Sequence, residues 1–149
     1  VFNPSREQAR RFLVDAWAKY ARSEPLTPLE QMAVEIIAAH PEYHRYFEHS
    51  ERDLERDWRP EGGETNPFLH VSLHLAIAEQ LAIDQPPGIR ALHDALAAQY
   101  EGDTHRARHD LLEALGETLW QAQRTGTAPD GALYLRLGRE RLRERSDVR

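Results

Sequence analysis

The chain of 149 residues has no cysteine and only a single lysine, Lys19. Without thiols there can be no disulfide framework, zinc ribbon, iron–sulfur cluster or cysteine nucleophile. Any metal site must therefore be built from His, Asp and Glu. No apolar run approaches the roughly 20 residues that cross a bilayer. The start, Val1-Phe2-Asn3-Pro4-Ser5-Arg6, lacks the apolar core of a signal peptide, so a cytoplasmic location is the expectation. No Gly-rich phosphate cradle follows a strand, and Glu61-Gly62-Gly63-Glu64 carries the wrong sign for phosphate. No nucleotide or flavin is expected. The chain also has no Gly-x-Ser-x-Gly elbow, which leaves acyl transfer without a nucleophile. A net charge of −6, with aromatics that do not interleave with basic residues, argues against nucleic-acid and membrane partners.

What is present reads as helix. The hydrophobic and charged fractions, 40% and 30%, suit a globular domain whose length can bury a core. Asn3-Pro4 is a helix-start signal, followed by a stripe of Ala9, Phe12, Leu13, Ala16, Trp17 and Tyr20 at helical spacing. Thr27-Pro28-Leu29-Glu30 is a capping box with proline at the first helical position. Its stripe (Leu29, Met32, Ala33, Ile36, Ile37, His40) runs into Pro41, which predicts a kink or a short new helix there. Residues 48–65 are acid-rich, with Leu54 and Trp58 as apolar anchors, and read as a short helix and a loop.

Asn66-Pro67 opens a helix to about Asp84 that is apolar almost all round, the mark of a central element. Asp84-Gln85-Pro86-Pro87-Gly88 breaks it. A stripe from Ile89 to Tyr100 follows, then a helix capped by Asp103 with Leu111, Leu112, Leu115, Leu119 and Trp120, stopping near Gly126. Pro129-Asp130 opens a last helix carrying Leu133, Tyr134 and Leu137. The predicted fold is all-α, a compact bundle of six or seven helices around the 67–84 helix. It forms one domain over residues 1–137, with a charged tail from 138 to 149 that extends the last helix or trails from it.

Among eight histidines, three pairs stand four apart: His40/His44, His70/His74 and His105/His109. At about 100° per residue, His70 and His74 lie roughly 40° apart beside Leu73, Ile77 and Leu81. That face points to a core, where an imidazole must bond a partner or an ion. Glu79 is about 180° from His70 and cannot share an ion with the pair, so a third ligand must come from another helix. The best source is the helix after Asp103, where His105, His109 and Glu113 climb one edge at i, i+4 and i+8. Core packing against a carbonyl or carboxylate explains such histidines equally well. His40/His44 is the weaker pair, because Pro41 interrupts the helix between them. His93 occupies a core-stripe slot where packing suffices. His93-Asp94 and His109-Asp110 are dipeptides of the kind metal-dependent phosphohydrolases use, at a frequency chance supplies.

Several blocks together resemble a family of short bacterial proteins. They are Phe2 through Gln8, Leu26-Thr27-Pro28-Leu29-Glu30, His40-Pro41-Glu42-Tyr43-His44, Asn66 through His74, Asp84 through Arg90, and Leu119 through Arg124. The family is domain-of-unknown-function family 1841, and the likeness runs from Phe2 to about Leu135. It implies a bacterial cytoplasm but no reaction and no site residues.

The expected function is a transition-metal site, zinc or iron, between the 67–84 helix and the helix after Asp103. Its ligands would be His70, His74, His109 and Glu113, with His40 or His105 completing it. Solvent access to such an ion would permit hydrolytic or oxygen-related chemistry. One alternative is a non-enzymatic interaction module with structural histidines. A fainter one is a His-Asp phosphohydrolase. The apolar stripe of the first helix would serve a homodimer as readily as packing within one chain.

Overall fold

Helices begin where the chain offers a capping side chain or a proline, and they stop where it offers a breaker. The computed structural model describes residues 6–48 and 66–148, with side chains over 7–48 and 66–142. Seven α-helices and one 3-10 turn form among the described residues, and no strand does. They are α1 (Arg6–Ala21), α2 (Pro28–Ala38), the turn Pro41–Tyr43, α3 (His44–Glu48), α4 (Pro67–Ile83), α5 (Ile89–Gln99), α6 (Thr104–Thr125) and α7 (Gly131–Val148). The all-α expectation holds. The Asn3-Pro4 start and the 49–65 segment with Leu54 and Trp58 lie outside the described residues.

The described helices group into two compact units, residues 1–75 and 76–149, with the division inside α4. In the first, α1 packs on α2 and α3, and the turn joins α2 to α3. The core of this unit is Leu13 and Ala16 from α1, Ala33, Val34 and Ile37 from α2, Phe47, and Phe68, Val71 and Leu75 from α4. The capping box at Thr27 is complete: its hydroxyl accepts from Glu30 N at 3.2 Å, and Glu30 accepts from Thr27 N at 2.9 Å. Lys19 of α1 donates to the other Glu30 oxygen at 2.8 Å, so the cap of α2 is also its tie to α1. That bond and the one from Thr27 N hold the Glu30 carboxyl below the usual carboxylate range, and the same pairing raises Lys19. Two stripe residues are more open than their spacing suggested. Leu29 lies in the first turn of α2, and Tyr20 lies in the last turn of α1 with its ring 5.4 Å from Trp17.

In the second unit, α5, α6 and α7 pack on one another pairwise. Asp84 links the end of α4 to α5, accepting from Arg90 N at 3.0 Å, while the Arg90 guanidinium donates to the Leu81 and Ala82 carbonyls. Gly88, at φ 99°, supplies the left-handed turn before α5. Asp103 accepts from Arg106 N and starts α6, and Gly126 in the left-handed conformation ends it. Trp120 of α6 is 50% exposed. It stands nine residues beyond Leu111, about 180° round the helix, and Arg124 covers its ring at 4.7 Å. α7 continues to Val148, so position 138 falls inside a helix. Gly138 packs closely there: a Cβ would come within 2.6 Å of Leu92 Cδ2, so the Leu92 side chain would have to shift.

Candidate metal centre

Three imidazoles of the first unit converge: His40 from the end of α2, and His70 and His74 from α4. Their ring centroids are 4.9 Å (40 to 70), 4.9 Å (40 to 74) and 4.8 Å (70 to 74) apart, and their ligand nitrogens lie within 4.8 Å of one another. His40 and His74 are buried and His70 is half-buried.

The α4 pair follows from the helix itself. Asn66 caps it, accepting from Phe68 N at 3.0 Å and Leu69 N at 3.1 Å, and Pro67 occupies the first position. Residues four apart then share a face. Phe68 and Val71 bury the surrounding stretch, Phe68 with its ring 5.2 Å from Phe47.

His40 arrives by a different route. α2 gives out at Ala38, and Pro41 disfavours a helical conformation for the residue before it. His40 accordingly takes φ −125°, ψ 69°. Its Nδ1 lies 2.7 Å from the Ile36 carbonyl oxygen. A carbonyl only accepts, so Nδ1 carries the proton and, in the neutral ring, Nε2 carries the lone pair that a metal would use. His44 donates from Nε2 to the Ile37 carbonyl at 2.9 Å, and its ring lies 4.7 Å from Trp17. Both histidines of the interrupted pair thus bond late carbonyls of α2, groups a helix end leaves in need of donors. The proline that sets this pair apart in sequence takes His40 out of the helix, and its ring meets His70 and His74.

Tyr43 completes the surroundings. Its ring is nearly parallel to His40 (5.6 Å, 7°) and edge-on to His70 (5.5 Å, 68°). Burial pushes its phenol above the usual value, with Glu42 and Tyr46 acting in the same sense. The spacing of the histidines gave no reason to single out Tyr43. The signal available was the 3-10 turn that Pro41 imposes between two imidazoles.

The other expected ligands belong to the second unit. His105 and His109 share a face of α6 with centroids 4.3 Å apart, His105 exposed and His109 half-buried. Glu113 is exposed and ion-paired with Arg141 of α7. The dipeptide carboxylates are engaged locally. Asp94 faces its own neighbour, His93 Nδ1, at 3.1 Å, and buried Asp110 accepts from the Tyr100 hydroxyl at 2.7 Å.

Nitrogens bound tetrahedrally at 2.0–2.1 Å stand roughly 3.3 Å from one another. The ligand nitrogens of the three imidazoles lie within 4.8 Å of one another, so a bound ion would draw them closer together. An imidazole set suits zinc, iron, copper or nickel rather than magnesium or calcium.

A family model described as Domain of unknown function (DUF1841) matches residues 5–140. Comparison with curated proteins found no match, and comparison with solved structures found none either. No described helix is long and apolar enough to cross a membrane.

Proposed function

The chain belongs to the family described as Domain of unknown function (DUF1841), a description that carries no activity, and from the site alone we propose that it binds a transition metal. His40, His70 and His74, all of the first unit, are the ligands of this reading. The observation that carries it is convergence from distant sequence: a residue at the end of α2 meets a pair on α4, with ligand nitrogens within 4.8 Å. The tautomer of His40 supports it, since the bond to Ile36 presents Nε2 as donor. Zinc or iron is the ion proposed. With an open coordination position, a bound water would be acidified and hydrolytic chemistry would follow.

The carboxylate of Glu113 is left out of the ligand set because Arg141 engages it, and His105 because it is exposed. Elemental analysis of protein purified without a histidine tag tests the proposal. The expected result is zinc or iron near one equivalent, and a melting temperature that falls on chelation. Metal-free protein that takes up neither ion and melts identically with chelator would overturn it.

One observation favours a second reading, in which the histidines are structural. His40 and His44 both close carbonyls of α2 without any ion. On that reading His70→Ala and His40→Ala destabilise the protein independently of added metal.

A further inference from the structure

We propose that Tyr43 is the positioning residue of this site, acting on the ion through His40; the inference rests on the metal-binding reading. His70 and His74 share one rigid helix, so their relative placement is set by α4. His40 comes from a separate segment, outside any α-helix, and its ring needs its own restraints. One is the bond to Ile36, which fixes the tautomer. The other is Tyr43. The backbone N–H of Tyr43 donates to the His40 carbonyl at 3.0 Å, closing the 3-10 turn, so the two residues are tied through the main chain. The Tyr43 ring then lies 7° from parallel with His40 and edge-on to His70. A single half-buried ring thus contacts both a ligand from the turn and a ligand from α4. This is the arrangement an outer-sphere residue needs if it is to hold imidazoles in register.

The contribution assigned is ring packing, which makes three variants informative: Tyr43→Phe keeps the ring, Tyr43→Leu keeps apolar bulk without the plane, and Tyr43→Ala removes both. Cobalt(II) titration of the full chain reads affinity, and its visible absorption reads coordination geometry. Phe should bind like wild type with the same spectrum. Leu and Ala should bind about 10–100-fold more weakly, the range for losing an outer-sphere partner, with an altered spectrum. Because Tyr43 acts through His40, Tyr43→Leu added to His40→Ala should cost little beyond His40→Ala alone.

Helical circular dichroism equal to wild type qualifies each variant, and Leu stands in if Ala fails to fold. Wild-type protein that binds no cobalt overturns the metal reading and this inference with it. Wild-type binding with Leu equal to wild type, or with the Tyr43 and His40 losses adding in full, overturns the inference and leaves the metal reading standing. Phe as weak as Leu overturns it too, by assigning the effect to the hydroxyl.

Discussion

The pairs His70/His74 and His105/His109 have the same spacing, and both bring their rings within 5 Å, at 4.8 and 4.3 Å. Their surroundings differ. The first lies on α4 beside buried Phe68, Val71 and Leu75 and meets a third imidazole from another segment of its own unit. The second lies on an edge of α6 where His105 is exposed and Glu113, one turn on, is held by Arg141. Helical periodicity guarantees that residues four apart are neighbours. Whether the neighbours form a site depends on which chain segment is packed over them. For α4 that segment is the turn that begins where Pro41 ends α2.

The largest expected effect tests the burial that separates the two pairs. Phe68→Ala removes a core ring from the helix carrying His70 and His74, and should cost about 3–5 kcal/mol in urea unfolding. Trp120→Ala on the helix of the other pair should change stability by no more than about 0.5 kcal/mol, because that ring is half exposed. Equal costs would mean that the two helices are buried alike.

Next comes metal affinity. His70→Ala or His74→Ala should lower zinc affinity by more than about 100-fold, beyond the usual loss of an outer-sphere partner. His105→Ala should leave it within a few-fold. A titration in which His105→Ala is as damaging as His70→Ala would erase the distinction.

Smaller again are the caps that set the two regions. Thr27→Ala opens the capping box of α2, the helix whose end carries His40, and Asp103→Ala uncaps α6. Each should cost about 1 kcal/mol by denaturation. Only the first should also weaken metal binding, because only it loosens the helix that delivers His40.

The mildest effect is one of pH. Glu30 titrates below the usual carboxylate range because Lys19 and the Thr27 backbone N–H bond its ionised form. A carboxyl with a depressed folded value contributes stability above the ordinary carboxylate range and loses it as pH falls through the folded value. Glu30→Gln should therefore flatten the acid limb of the stability curve, and, because Lys19 loses the partner that raises it, flatten the alkaline limb where Lys19 titrates as well. An unchanged acid limb would show that the clamp adds nothing.

Much of this was legible in the residues. Thr27 to Glu30, Asn66-Pro67 and Asp103 announced helix starts because caps and prolines act locally, through bonds to their own first turn. The core direction of His70 and His74 followed from period alone. The aim of His40 did not, because a proline break ends the register that periodicity relies on, and the following turn is set by tertiary packing. Glu113 climbed the right edge of α6 for a ligand. Its partner Arg141 sits in a stretch that reads as a charged tail but continues α7. The exposure of Trp120 follows from period alone, since it stands half a helical turn of angle from buried Leu111.

In the proposed site, imidazoles from the end of α2 and from α4 bind one ion. X-ray absorption at the zinc edge of untagged, zinc-loaded protein tests it most directly. The expected result is a shell containing at least three imidazole nitrogens at about 2.0–2.1 Å, losing one imidazole in His40→Ala. A shell of oxygens alone, or an identical imidazole count in wild type and His40→Ala, would contradict it.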